Sequence, residues 1–254
     1  MGGINKWPLS LLPIIIILSF WELLSQTNLI NWALFPPPSS IAQALWGMTT
    51  SGILLEDIVS SLGRVMAGLI SGSLLGIVVG LLTGRIKIFS HLFSPLIQVL
   101  RSFPPVAIIP LIIIWFGLGD GAKIFSIAFG VFFPVWLNTH IGATRIPKAF
   151  LWSAKILTSS KIKLIQKVIL PATLPYIIAG IRIGIASAFI MVFVSELTGA
   201  SNGLGYRISI SHLSYRIDEM IASLFVLGGL GAMTDWAFAS LKNKIFPWLN
   251  FSLS

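Results

Sequence analysis

The sequence of 254 residues contains no cysteine, which excludes a disulfide framework, a thiolate metal site and a cysteine nucleophile. Charge is scarce as well: 10% of the residues are Asp, Glu, Lys or Arg, where a soluble domain carries about 25%. With 56% hydrophobic residues and a mean hydropathy of +0.93, a water-soluble globule is excluded. The three histidines, His91, His140 and His212, form no spaced pair, so metal binding has no support. There is no G-x-x-x-x-G-K-[ST], hence no P-loop for nucleotide, and neither G-x-S-x-G nor H-E-x-x-H, which removes the commonest hydrolase signals. Acidic residues are the rarer sign, eight against seventeen Lys and Arg. On so apolar a chain, that balance points to asymmetric membrane loops rather than to nucleic acid.

What is abundant is apolar sequence in runs of membrane-crossing length, about 20 residues. Trp7–Leu24, Val65–Thr83, Ile124–Ile141, Ile177–Leu197 and Ile221–Leu241 are predicted spans. Pro104–Leu118 is shorter and carries three prolines, so periodicity leaves it open between a span and a re-entrant piece. Charge placement decides it. Arg85, Lys87 and Arg101 follow the second span, and Arg145, Lys148, Lys155, Lys161, Lys163 and Lys167 follow Ile124–Ile141, with no acidic residue in either set. Both loops are therefore expected in the cytoplasm, and two crossings must separate them. The prediction is an all-α membrane protein of six spans with both termini cytoplasmic, anchored by an uncleaved first helix because no small-x-small site follows it. Residues 1–60 form an anchor and outer loop, and 61–245 the core.

Gly68, Gly72, Gly76, Gly80 and Gly84 recur every four residues, a helix face on which another backbone can approach closely. Arg182 and Glu196 lie within or at the edge of the fifth span and are candidates for a pathway; snorkelling and a helix-end hydrogen bond are the structural alternatives. Asp235, deeper in the sixth, is expected to have a buried structural partner. The longest cytoplasmic loop, 143–176, mixes apolar residues with lysine and ends in Leu170-Pro171-Ala172-Thr173-Leu174-Pro175. It reads as short amphipathic helices, interrupted by two prolines, that bind lipid headgroups through lysine or offer an apolar surface to a protein.

Here the sequence resembles a known family, the permease subunits of bacterial binding-protein-dependent ABC importers of the sulfonate, taurine, nitrate and bicarbonate group. In the cytoplasmic loop, Ala154 and Leu170-Pro171 match that family's signature, while Trp152 stands at its acidic position and Thr158 at its glycine. Further likeness lies in Ser61-Leu62-Gly63-Arg64-Val65, Phe103-Pro104-Pro105-Val106-Ala107, Trp115-Phe116-Gly117-Leu118-Gly119, Ser195-Glu196-Leu197-Thr198-Gly199-Ala200 and Gly203-Leu204-Gly205-Tyr206.

The resemblance implies a permease of the bacterial inner membrane that pairs with a second copy. It imports a small anion of the sulfonate, taurine, nitrate or bicarbonate class; the run at 115–119 is closer to the sulfonate and taurine branch. The loop helices, with Ser153, Ala154, Leu157, Thr158, Leu170 and Pro171, would dock on two cytoplasmic ATP-binding subunits, and a periplasmic or lipid-anchored binding protein would deliver substrate. The chain itself would be no enzyme and hold no cofactor or metal, ATP and Mg²⁺ residing on the partner. The alternatives are a membrane enzyme, for which the spans offer almost no converging polar groups, and an ATPase-independent channel or carrier, for which intramembrane charges are too few.

Overall fold

The computed structural model describes residues 6–27, 33–158 and 160–248, with the side chains of 6–11, 155 and 161 left aside; parts of the expected 1–60 unit, and the side chains of Lys6, Lys155 and Lys161, lie outside that description. The described residues are helical and contain no strand. In order they are α1 (Lys6–Gln26), α2 (Pro38–Thr50), α3 (Ile53–Arg85), α4 (Lys87–Arg101), a 3₁₀ turn (Pro105–Ile108), α5 (Ile109–Phe116), α6 (Asp120–Thr144), α7 (Lys148–Leu157), α8 (Lys161–Leu164), a π turn (Ile165–Ile169), α9 (Leu170–Leu197), α10 (Leu204–Leu213) and α11 (Ile217–Ile245).

The centre is a three-helix sheaf, α6 between α3 and α9. Each glycine of the α3 ladder sits against α6: an added Cβ would lie 2.5 Å from Ile127 at Gly68, 2.5 Å from the Ala128 carbonyl at Gly72, 2.9 Å from Val135 at Gly76, 2.6 Å from Thr139 at Gly80 and 2.6 Å from Ala143 at Gly84. The opposite side of α6 meets α9 just as closely, with Gly130 under Met191, Gly142 under Tyr176 and Gly180 against Val135 and Asn138. Lipid is as apolar as leucine, so hydrophobic burial does not drive this association; close van der Waals contact between backbones does. The ladder thus packs helices inside one subunit. Trp136 of α6 is buried and donates from Nε1 to Thr83 of α3 (3.1 Å).

Four of the expected spans are present as helices long and apolar enough to cross, within Ile53–Arg85, Asp120–Thr144, Ile162–Leu197 and Ile217–Ile245. Three expectations are corrected. Pro104–Leu118 is not a straight span: α5 has eight residues, about 12 Å of helix, and α4 with the 3₁₀ turn and α5 form a pair bent by 90° that crosses, if at all, only together. Within the expected loop 85–101, Arg85 ends α3 and residues 87–101 form the amphipathic α4, with Ile97 packed near Phe133 and Trp136. Lastly, Pro171 and Pro175 do not break the chain before the fifth span. The helix runs on from Ile162 to Leu197 through both prolines, with a π turn at Ile165–Ile169 in which the Leu170 N–H reaches back to the Ile165 carbonyl, and Pro175 inside α9.

The second span also begins earlier than its apolar run. At 33 residues α3 is about 50 Å long, well beyond the roughly 30 Å hydrocarbon layer, so its first turns project out of the lipid with Glu56, Asp57, Ser61 and Arg64 on them. Orientation is testable because the native chain has no cysteine. An impermeant thiol reagent applied from outside is expected to label Ser51→Cys and Ser214→Cys, both exposed, and not Ser160→Cys; outside labelling at 160 would overturn the cytoplasmic placement of 143–176. Ser211, equally placed by sequence as an outer reporter, is unsuitable because it is buried in α10.

Candidate functional site

Three places concentrate polar or unpartnered groups. The first is a buried clasp between the early turns of α3, the C-terminus of α9 and the N-terminus of α10. Asp57, Ser61 and Arg64 are spaced by four and three residues and share one face of α3. Glu196, 1% exposed, receives Arg64 Nη1 (2.6 Å), the Ser61 hydroxyl (2.8 and 2.9 Å to its two oxygens) and the Gly205 N–H (2.9 Å). Arg64 also donates through Nη1 to the Asn202 carbonyl (2.9 Å), through Nη2 to the Asn202 side chain (2.5 Å) and through Nε to Asp120 (2.8 Å). Asp57 accepts from the Gly203 N–H (2.8 Å) and from Arg207 Nε (2.8 Å), and Ser61 Oγ accepts from the Leu204 N–H (2.8 Å).

Successive amides at the start of α10 are thereby met by two carboxylates and a hydroxyl, the charge a helix N-terminus favours. Glycine is obligatory at the join. Gly203 has φ +115°, and a Cβ there would stand 2.6 Å from the Glu196 carboxylate; at Gly205 it would stand 2.7 Å from the Phe193 carbonyl. Beside the clasp, Lys123 is buried and caps the Leu118 carbonyl (2.6 Å). Glu196, expected at the pathway, is therefore enclosed by groups of its own subunit.

The second place is a groove of about 540 Å³ between α9 and α11. Its walls are apolar, and Arg182 and Asp235 close one end as a bidentate pair, Nε to Oδ1 and Nη2 to Oδ2, each at 2.9 Å. Arg182 is thus not an isolated positive group, and Asp235 has the expected structural partner but not the expected burial: the side chains are 62% and 35% exposed.

The third is the cytoplasmic loop. Ala154 is 8% exposed and faces a groove of about 550 Å³ lined also by Ile146, Phe150, Ser153, Val168 and Tyr176. Outward from the same helix, Ile156 and Leu157 are each 86% exposed, with Trp152 beside them, and Leu170 and Pro171 are exposed where α9 begins. Thr158 closes α7 with φ −155° and ψ 132°, and its hydroxyl accepts from the Ser160 N–H (3.3 Å). That backbone is extended, so the position asks for no glycine, and a threonine sits there without strain.

Of the site residues expected from sequence, Ser153, Ala154 and Leu157 line this groove and Thr158 closes the same helix, while Leu170 and Pro171 are exposed at the start of α9; Arg182 and Glu196 lie apart from them and from each other. The clasp partners Asp57, Ser61, Arg64 and Arg207 were not expected as a site. Their signal is the helical spacing of 57, 61 and 64, which lies before the apolar run that begins at Val65.

Comparison with known proteins places the chain in context. Residues 72–246 match the family described as "Binding-protein-dependent transport system inner membrane component". A Bacillus subtilis (strain 168) protein named as an aliphatic sulfonates transport permease, SsuC, is 32% identical over 96% of this chain and 88% of its own. The taurine transport system permease protein TauC of Escherichia coli (strain K12) is 28% identical over 96% and 92%. Among solved structures, an inward-facing MetNI methionine ABC transporter superposes with a TM-score of 0.65 at 18% identity, covering 78% of this chain and 98% of that one, a likeness of fold.

Proposed function

The chain belongs to the inner-membrane components of binding-protein-dependent transport systems, and from that premise we propose that it is the permease of an ATP-driven importer for small organic anions, sulfonates foremost. It is a multi-pass inner-membrane permease subunit; the finer reading adds six crossings, with α1 and the bent α4–α5 pair as two of them, and a second copy completing the pathway. The ATPase is a separate subunit, consistent with the missing P-loop. A binding protein presents substrate at the outer face. Nothing in this chain needs to break a bond: its task is to exchange two packings of rigid helices when the ATPases close.

The observation that carries the coupling role is the outward face of α7. Trp152, Ile156 and Leu157 stand out from α7, in the loop that its charge places in the cytoplasm. An apolar helix face beside a basic loop is the form a helix-in-groove contact takes. Burying two such side chains is worth about 1.5–3 kcal/mol each, so the pair sets affinity for an ATPase by a hundredfold or more. Ile156→Glu with Leu157→Glu is expected to abolish co-purification of the ATPase while the permease still inserts. Retention of a coupled ATPase would refute the docking assignment. Ala154→Arg is expected to act differently, by putting a charged side chain into the groove that Ala154 lines rather than by removing the apolar face.

A further inference from the structure

The groove behind α7 carries chemistry that the outward face of that helix does not use. Arg145, Phe150 and Ala154 line one wall, and Lys167, Val168 and Ala172 the other, around about 550 Å³, a volume typical of a small-molecule site. A second hollow of about 320 Å³ shares Ala154, Leu157, Lys167 and Val168 with the first and adds Lys163, so the two form one trough along α7. Its charge is of one sign. No Asp or Glu occurs between Asp120 and Glu196. The side chains of Arg145, Lys163 and Lys167 are exposed and have no hydrogen bond or ion pair among the described residues. Three unanswered cations on an apolar trough fit an anion that brings an apolar body with it.

The depth of the floor says which kind of anion. Gly142 lies in the last turn of α6, and Tyr176 of α9 packs so closely on it that an added Cβ would stand 2.6 Å from the Tyr176 Cβ; both residues line the groove. A hydrocarbon layer of about 30 Å takes about 20 helical residues. Counted from Lys123 on α6 and from Leu197 on α9, that length ends close to Gly142 and Tyr176. The floor therefore lies where acyl chains meet headgroups, the level at which tyrosine is enriched in membrane proteins. The cationic residues follow α6 and precede α9, on the headgroup side of that level.

We propose that this trough holds one anionic phospholipid of the cytoplasmic leaflet, its phosphate on Arg145 and Lys167 and an acyl chain along Phe150, Val168 and Ala172. The premise is the cytoplasmic placement of residues 143–176; the site itself goes beyond the importer reading. Basic pockets between membrane helices on that side are places where anionic headgroups bind. A free phosphate would meet the cations and leave the apolar walls unfilled, and a segment of a soluble partner would have to displace headgroups to reach Gly142. Trp152 and Ile156 do not line the trough. A lipid there backs α7 on its inner side and leaves those two side chains to the ATPase.

The test takes the permease–ATPase complex from nanodiscs of equal parts phosphatidylglycerol and phosphatidylcholine into detergent and counts retained lipid by native mass spectrometry. One phosphatidylglycerol per permease chain is expected, preferred over phosphatidylcholine about tenfold or more, as two cations near an anionic headgroup supply. Arg145→Gln with Lys167→Gln should erase that preference, whereas Lys87→Gln with Arg101→Gln, which removes equal charge from the ends of α4, should leave it intact. Ala172→Leu narrows the trough with all three cations in place, and is expected to cut retention of both lipids about fivefold. Equal retention of the two lipids by the unaltered complex, equal loss in the α4 pair, or full retention in Ala172→Leu overturns the site. Release of the lipid by excess inorganic phosphate would reduce it to a bare phosphate site, and lipid held by the permease alone but lost on ATPase binding would give the trough to the ATPase; either result overturns the proposal. Retention does not depend on which side faces the cytoplasm, so the orientation fails separately, through outside labelling of Ser160→Cys.

Discussion

Arg64→Met is expected to cost the permease about 3–5 kcal/mol, because it leaves the Glu196 carboxylate buried with no counter-charge. Glu196 would keep the Ser61 hydroxyl and the Gly205 amide, neutral donors that do not replace a guanidinium. The loss should spread, since the same arginine ties the loop at Asn202 to α3 and thereby seats the start of α10. Thermal unfolding of the purified complex in detergent measures it. Two companion variants separate charge from packing. Asp120→Asn removes the solvent-exposed partner of the same guanidinium and is expected to cost under about 1 kcal/mol. Adding Glu196→Gln to Arg64→Met removes the orphaned charge and is expected to regain roughly 1–3 kcal/mol. If the Arg64 and Asp120 variants lose equal stability, Arg64 does not act by supporting Glu196.

Parts of this architecture are legible in one dimension, and parts are not, for reasons the residues make plain. The crossing helices α3, α6, α9 and α11 are found from apolar length, because the bilayer imposes that length on any span. The glycine ladder is legible as a packing face because four-residue spacing survives the helical twist over several turns. The ends are where apolar length misleads. Asp57, Ser61 and Arg64 look like loop residues because an apolar criterion stops where polarity begins, yet they are helical, and their polarity is answered by residues some 130 to 150 positions away. Arg182 and Asp235 are a similar case: each is visible, but nothing along the chain says that antiparallel α9 and α11 bring them together. In the segment 85–118, charge counting placed Lys87 and Arg101 in a loop. Those residues are the two ends of α4, and it is the helix between them that supplies the apolar length α5 lacks.

The steepest structural consequence of the ladder is expected at Gly72. A methyl there would lie 2.5 Å from the Ala128 carbonyl and 2.9 Å from the Ala128 Cα, both backbone atoms of α6. Ordinary contact begins near 3.4 Å, so α3 and α6 must part by close to an ångström, and contact energy falls off sharply over such a gap. The displacement does not stay local, because α6 is held equally tightly by α9 on its other side. Gly72→Ala is therefore expected to destabilise by about 3 kcal/mol, at the upper end for overpacking, and Gly72→Leu to prevent assembly of the sheaf. Gly130 supplies the control: its Cβ would also fall 2.5 Å from a neighbour, but that neighbour is Met191 Cγ, part of a flexible side chain with other rotamers to take. Gly130→Ala is expected to cost under about 1.5 kcal/mol. Gly228→Ala, with nothing within 4 Å, is expected to be neutral or to stabilise by up to about 1 kcal/mol, since alanine is the better helix former. Melting temperatures of the three purified variants should rise from Gly72→Ala through Gly130→Ala to Gly228→Ala. A Gly72→Ala protein as stable as Gly130→Ala would mean that α3 and α6 can slide apart at little cost, and that the sheaf is a softer assembly than its backbone contacts imply.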